Sequence, residues 1–179
     1  MAKEIHVFYG KGLDCNTYVI LAEKNVLIDP GLDVQSLRQE ISSLGLKPED
    51  FDYVLNTHYH FDHSSANILF KKVYAGSPDW KLIPNGTYLN KKILFDTFQV
   101  IKTPGHSKGS LSFLYDRILF CGDLLFLNGV GRTDLPGGSE QELKKSLKKV
   151  LSLDFDFIYP GHGPIGLKTK VSNFVFRYL

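Results

Sequence analysis

Apolar residues recur along the chain with two periods, one typical of strands and the other of helices. Strands are predicted where β-branched and aromatic residues alternate or cluster between turn residues. The predicted strands cover residues 5–9, 17–21, 25–31, 51–56, 73–75, 93–103 (one or two strands), 111–115, 117–121 and 155–159. The pair within 111–121 is joined near Asp116 and predicts a hairpin, and the run that ends at Gly31 closes in a Pro-Gly turn.

Helical spacing of apolar positions marks several further segments. These are 34–44, 66–70, a brief helix opened by Ser77 and Pro78, 140–151, and the tail 167–178. Asp33 is a plausible N-cap for the first helix, Gly45 suits the position after its end, and Ser139 with Glu142 has the sequence of a capping box. Short strands interrupted by a few helices predict two sheets with helices packed outside them.

Length and composition are those of an ordinary globular protein. The 179 residues fit a single domain spanning 1–179, and 43% apolar with 22% charged residues is enough to build a buried core. A net charge of +2 is too small to indicate nucleic acid or an anionic membrane surface as a partner. A small-molecule substrate is expected only from the motifs described below, and the sequence leaves the oligomeric state open.

The N-terminus and the cysteines indicate the compartment. Residues 1–7 lead directly into a strand-like pattern without the apolar segment of a secretory signal, and no apolar run approaches the ~18 residues of a membrane span. Cys15 and Cys121 are interpreted as reduced thiols. These features predict a cytoplasmic protein that does not bind a membrane.

The segment Thr57–His63 contains three histidines and one aspartate within six positions, between a predicted strand and a predicted helix. His58 and His60 point to the same side of an extended segment, because side chains two apart share a face. Asp62 and His63 follow as the chain turns and can point to a second position nearby. This spacing indicates a metal site and not a chance group of surface histidines.

Two further histidines and one aspartate lie in similar positions. His106 and His162 each follow a Pro-Gly turn after a predicted strand, and Asp123 ends another strand. Each Pro-Gly-His alone could be only a turn. Together with the first motif, they indicate ligands held on stiff backbone at one rim of a sheet.

Six segments, in this order, resemble the metallo-β-lactamase superfamily, and specifically its glyoxalase II-like thioester hydrolases and persulfide dioxygenases. They are Leu27–Gly31, Thr57–His63, Thr103–His106, Gly122–Phe126, Gly131–Asp134 and Pro160–Gly163. The resemblance implies an α/β (α+β) fold, a four-layer αββα sandwich with the metals at one edge of its two sheets. It also implies that the chain lacks the C-terminal helical extension with which glyoxalase II binds glutathione.

The resemblance further implies a ligand set for two divalent metal ions. Zinc is the favoured metal, with iron or manganese as alternatives. The first ion would be held by His58, His60 and His106. The second would be held by Asp62, His63 and His162, with Asp123 bridging the pair. Asp62 and Asp123 would also act in catalysis, Asp62 as a proton acceptor. Arg132 could pair with a substrate carboxylate, or it could only order its loop.

Two activities are compatible with these motifs. In a glyoxalase II-like hydrolase, the two ions would share a water, lower its pKa and leave a hydroxide that attacks the thioester. In a persulfide dioxygenase, a single iron would be held by His58, His106 and Asp123. A lactonase and a non-catalytic metal-binding domain are the less favoured alternatives.

Overall fold

The computed structural model describes residues 3–95 and 98–179. Its strands are β1 (Glu4–Phe8), β2 (Thr17–Leu21), β3 (Val26–Ile28), β4 (Tyr53–Leu55), β5 (Val73–Ala75), β6 (Gly86–Tyr88), β7 (Gln99–Lys102), β8 (Leu111–Tyr115), β9 (Ile118–Gly122), β10 (Leu125–Phe126), β11 (Gly129–Val130), β12 (Phe157–Pro160) and β13 (Gly166–Leu167). Its α-helices are α1 (Val34–Ser43), α2 (Phe61–Ser64), α3 (Glu140–Leu151) and α4 (Asn173–Tyr178). Short 3₁₀ helices lie at Pro48–Asp50, Ser65–Leu69, Asp79–Lys81 and Lys168–Lys170.

Within the described residues, the strands form two large mixed sheets and one small hairpin. The first sheet has the order β1-β2-β3-β4-β5-β6, antiparallel as far as β3 and parallel from β3 to β6. The second has the order β13-β12-β9-β8-β7, in which only β12 and β9 run parallel. Strands β10 and β11 pair with each other.

Three apolar clusters show how these layers stack. Between the sheets, residues such as Ile28 and Leu55 of the first sheet pack against Phe113 and Phe120 of the second. On the outer face of the first sheet, Val19, Leu27 and Val54 pack against α1 and the 3₁₀ helix at Ser65–Leu69. On the outer face of the second sheet, Leu119 and Ile158 pack against α3 and α4. The αββα sandwich is confirmed.

Several local predictions are confirmed by the hydrogen bonds at the element ends. The Asp33 carboxylate accepts from the backbone N–H groups of Gln35 and Ser36 and caps α1. Asp116 and Arg117 have φ values of 49° and 64°, the left-handed conformations that a two-residue hairpin turn requires, and they join β8 to β9. Cys15 and Cys121 are free, buried thiols. No helix in residues 3–95 or 98–179 has both the length and the apolarity to cross a membrane.

Other elements are shorter than their patterns predict. The run 25–31 forms a strand only over Val26–Ile28, because the chain turns at Asp29 with φ 52°. Within 93–103, Gln99–Lys102 is a strand and Ile93 makes one isolated bridge, while positions 96 and 97 lie outside the described residues. The tail is helical only from Asn173, because a 3₁₀ turn and the short strand β13 occupy the residues before it.

Two predicted helix starts are also corrected. The brief helix begins at Asp79, after Pro78, so Ser77 does not cap it. At α3 only half of the capping box forms: Ser139 Oγ accepts from the Glu142 N–H. The Ser139 N–H donates to the Gly105 carbonyl, which takes the place of the Glu142 carboxylate as its acceptor.

The contact of α3 with the second sheet predicts a large effect for Leu147→Ala. Leu147 is fully buried in the outer cluster of that sheet, so truncation leaves a cavity and should lower the free energy of unfolding by about 2–5 kcal/mol. The measurement is the midpoint of denaturant unfolding. Lys148→Ala, at the exposed next position, should change it by less than about 0.5 kcal/mol; equal shifts for the two variants would contradict this packing.

Candidate metal centre

The ligand candidates of the sequence lie where strands of both sheets end. The Thr57–His63 segment follows β4, His106 follows β7, Asp123 follows β9, and β12 ends just before His162. The structure brings all seven side chains together in three overlapping groups whose ligand atoms lie within 4.8 Å of one another. The groups are His58, His60 and His106; His58, His63 and Asp123; and Asp62, His63 and His162.

One half of the centre consists of three imidazoles. His106 Nε2 lies 2.8 Å from His60 Nδ1. The His58 ring is 4.7 Å from the His60 ring and 4.7 Å from the His106 ring, measured between centroids. We call His58, His60 and His106 the histidine half.

The other half combines imidazoles with a carboxylate. His162 Nε2 lies 3.3 Å from His63 Nε2 and 3.1 Å from Asp62 Oδ2. His63 Nε2 is 3.6 Å from the same Asp62 oxygen. We call Asp62, His63 and His162 the mixed half.

Asp123 lies between the halves and contacts both. Its Oδ1 is 3.4 Å from His63 Nε2, and its Oδ2 is 3.6 Å from His106 Nε2. Burial alone would raise the pKa of this carboxyl, but the neighbouring His63, His58 and His106 hold the pKa far below its ordinary value. Asp123 is therefore an anion, which is the state that a bridging ligand needs.

Buried contacts fix which nitrogen of each ring faces the centre. His63 Nδ1–H donates to Asp29 Oδ2 at 3.0 Å, and His106 Nδ1–H donates to the Arg132 carbonyl at 2.7 Å. His58 Nδ1 lies 3.0 Å from Thr57 Oγ1 and donates to it, because that hydroxyl in turn donates to Asp29 Oδ2. In all three rings Nδ1 is thus the donor, and the Nε2 lone pair points inward, as in metal-binding histidines.

The donor set fits a divalent metal. Ring nitrogens and carboxylate oxygens face one another across 2.8–3.6 Å, and such a group of potential ligand atoms can hold a cation. The edge of a tetrahedron around bonds of about 2.0–2.1 Å is about 3.3 Å, close to these separations. His58 Nε2 and Asp123 Oδ1 are buried and have no hydrogen-bond partner among the described residues.

The two halves differ in proton affinity. Burial lowers the pKa of His58 well below its ordinary value, and burial also lowers the pKa of His60 to about 4. In the mixed half, the bond to Asp62 raises the pKa of His162. Burial opposes the charged form of His63, yet nearby groups including Asp29 and Asp123 raise its pKa well above the ordinary value. Protons therefore compete more strongly for His63 and His162 than for His58 and His60.

Asp29 orients the candidate ligands, a role that its position in the segment Leu27–Gly31 did not indicate. Its carboxylate accepts from the Thr57 N–H and Oγ1–H at 2.7 Å each and from His63, and the residue is 1% exposed. An acidic residue directly after the apolar run Val26–Ile28 was the available signal. A carboxylate at the end of a buried strand needs partners.

Arg132 lies at the rim of the centre. Its carbonyl orients His106, while its exposed guanidinium forms two bonds with Asp134, at 2.8 and 2.6 Å. Binding of a substrate carboxylate by Arg132 would therefore compete with Asp134.

Comparison with curated proteins shows relatives across most of the chain. The probable metallo-hydrolase MJ0888 of Methanocaldococcus jannaschii is 35% identical, covering 88% of this chain and 91% of its own length. The hydroxyacylglutathione hydrolase GloC of Haemophilus influenzae is 30% identical, covering 79% of this chain and 81% of its own length.

Solved structures share the fold at similar identity. TTHA1623 in a di-iron-bound form has a TM-score of 0.79 and 33% identity, covering 94% of this chain and 99% of that one. ETHE1 from Myxococcus xanthus has a TM-score of 0.74 and 28% identity, covering 92% and 79%. The family model of the metallo-beta-lactamase superfamily matches residues 10–78 and 91–162. This chain, with its convergent histidines and aspartates, belongs to the metallo-β-lactamase superfamily.

Proposed function

We propose that the protein is a metal-dependent hydrolase that cleaves a thioester. The observation that carries the proposal is the meeting of the histidine half and the mixed half at the Asp123 carboxylate, which is 13% exposed. The seven side chains would hold two divalent ions: His58, His60, Asp62, His63, His106, Asp123 and His162.

The donor chemistry supports zinc, with iron or manganese as alternatives. Three neutral imidazoles suit zinc, and a half that includes a carboxylate suits any of the three metals. The di-iron form of TTHA1623 keeps iron under consideration for this chain. Bound there, the ions would lower the pKa of a shared water and polarise the substrate carbonyl.

The exposure of the ligand side chains indicates where substrate would approach and which residue could accept a proton. The Asp62 and His162 side chains are 17% and 34% exposed, whereas the His63 side chain is fully buried. Substrate would therefore approach from the side of Asp62 and His162, where His60 of the other half is also partly exposed. Burial would raise the pKa of Asp62, but the bond from His162 and the charge of His63 lower it, so the carboxylate is free of a proton and can accept one from the attacking water.

The relatives support a thioester as the scissile group. The Haemophilus influenzae relative is named a hydroxyacylglutathione hydrolase, a thioester-cleaving activity. Arg132 would bind a carboxylate of the thiol carrier after releasing Asp134, which is a surface contact and easily exchanged.

A persulfide dioxygenase is the second candidate, because the ligands that a single iron would need are also in place. His58 and His106 are neighbouring rings, and His106 Nε2 is 3.6 Å from Asp123 Oδ2. The two activities differ in the number of ions and in the use of oxygen, and both quantities can be measured on the purified protein.

Hydrolysis predicts that Asp62→Ala and His60→Ala lose activity while the protein stays folded. With the hydroxyacyl thioester of glutathione as substrate, kcat/KM should fall by about 10²–10⁴-fold for Asp62→Ala, the usual contribution of a proton acceptor. Bound metal is counted in the same samples. Asp154→Ala, which removes an exposed carboxylate, is the matched control and should retain full activity.

Unchanged thioester cleavage in both variants would contradict this assignment. One iron per chain, with oxygen uptake on glutathione persulfide and no thioester cleavage, would favour the dioxygenase. A penicillin and a lactone belong in the same panel, because the family is named for β-lactam cleavage and a lactonase is a further alternative.

Close packing around Asp123 predicts that Gly161→Ala disrupts the centre. A Cβ at Gly161 would lie 2.2 Å from Asp123 Oδ1 and 2.6 Å from His63 Cε1, so one of these ligands must move. Metal content per folded chain should drop. Gly129→Ala is the control, since its Cβ would meet no atom within 4 Å; the same metal content in both variants would show that the centre tolerates the shift.

The pKa differences predict that acid removes the two ions in order. The pKa values of His63 and His162 are raised, so protons displace metal from the mixed half first, and activity should fall with it below about pH 6. The pKa of His60 is about 4, so the histidine half should keep its ion further into acid. Metal content after dialysis at each pH tests the order. Simultaneous loss of both ions, or loss of activity with both retained, would contradict it.

A further inference from the structure

Two buried polar side chains outside the ligand set connect the segments that carry the ligands. Asp79 lies at the start of the 3₁₀ helix after β5, and Asn16 lies just before β2. They are 1% and 3% exposed. Neither belongs to the proposed catalytic machinery.

Asp79 joins the two segments of the histidine half. Its carboxylate accepts from Ser107 Oγ and from the Gly109 N–H at 2.8 Å, and the backbone N–H of Tyr59 is near enough to help lower the pKa of this carboxyl. Tyr59 lies between His58 and His60, and Ser107 directly follows His106. The fit is close, because a Cβ on Gly109 would lie 2.4 Å from Asp79 Oδ1.

A carboxylate is buried at a cost unless its lone pairs are satisfied. The two donors, Ser107 and Gly109, continue the segment of His106, and the nearby Tyr59 N–H lies in the segment of His58 and His60. The carboxylate therefore fixes the separation of these segments, which are nearly fifty positions apart in sequence. Its loss would leave the donors unpaired and the ligand segments free to separate.

Asn16 holds the loop that carries His162 in place through buried hydrogen bonds. Its side-chain NH₂ donates to the carbonyls of Pro160 and Gly163, at 3.1 and 2.9 Å, and its backbone N–H donates to the Gly161 carbonyl at 2.7 Å. Tyr18 Oη donates to the same Pro160 carbonyl. The four residues 160–163 are thus held from both sides of His162.

We propose that Asp79 and Asn16 are positioning residues, Asp79 for the histidine half and Asn16 for the mixed half, so that each half depends on its own buried contact. This inference rests on the proposed two-ion centre. It predicts that the two halves can be weakened separately by changing residues that touch no ion.

The test is a titration of the metal-free protein with Co²⁺, monitored by visible absorption, together with a calorimetric titration with Zn²⁺. His60→Ala and His162→Ala serve as markers, because each removes a ligand from one half and shows the signal of the other. Asp79→Ala should lower the affinity of the histidine half for its ion about 10–100-fold, the usual effect of losing a residue that orients ligands. The absorption spectrum of this variant with Co²⁺ should approach that of His60→Ala. Asn16→Ala should lower the affinity of the mixed half for its ion, and its spectrum should approach that of His162→Ala.

Milder substitutions keep the inference testable if Asp79→Ala or Asn16→Ala does not fold. Ser107→Ala and Tyr18→Phe each remove one bond of the two contacts and should weaken the same half as Asp79→Ala and Asn16→Ala, to a smaller extent. Asp79→Asn keeps the side-chain shape and should recover part of the affinity. Val150→Ala destabilises the fold from the far side of the second sheet and should leave both affinities unchanged.

The outcomes are distinct. The inference would be overturned if Asp79→Ala or Asn16→Ala lowered the affinities for the two ions equally. It would also be overturned if both variants kept the wild-type affinities. A comparable loss in Val150→Ala would also overturn it, since general destabilisation would then account for the effect. A wild-type protein that binds one ion or none would contradict the two-ion centre itself, before any variant is compared.

Discussion

The centre depends first on the buried carboxylate of Asp29. Through one oxygen it accepts from His63 Nδ1–H and from Thr57 Oγ1–H, and Thr57 in turn accepts from His58 Nδ1. One anion thereby orients a histidine in each half and leaves both Nε2 atoms for the ions. The Asp29 N–H also donates to Leu55 at the end of β4, so the same residue ties the ligand segment to the sheet.

The two sheets bring these locally held side chains together in a single site. Ligands leave the ends of strands in both sheets and meet at one edge of the sandwich. Glycines allow the close approach: a Cβ on Gly122, which has φ 49°, would lie 2.4 Å from Thr57 Oγ1. His58, His63 and His106 are buried, whereas His60, Asp62 and His162 are partly exposed, so each half combines buried ligand candidates with ones that solvent reaches.

The sequence by itself determined the fold class and the candidate metal ligands. The alternation of apolar residues, the Asp33 cap and the turn at Asp116 are local features, and the structure bears them out. The seven ligand candidates were identifiable because each follows a strand, and strand ends gather at the edges of sheets. Element lengths were less certain, because a pattern such as 167–178 cannot show where β13 and a 3₁₀ turn interrupt it.

Only the tertiary structure decided how the ligands are held. Asp79 meets Ser107 from 28 positions away, and Asn16 meets Gly163 from 147 positions away. Arg132 proved to face Asp134 with its side chain and His106 with its carbonyl. Periodicity and caps report interactions within a few residues, whereas a buried hydrogen bond depends on which distant segments the packing brings together. That is why the candidate ligands could be predicted from the sequence, whereas the buried contacts that hold them became visible only in the fold.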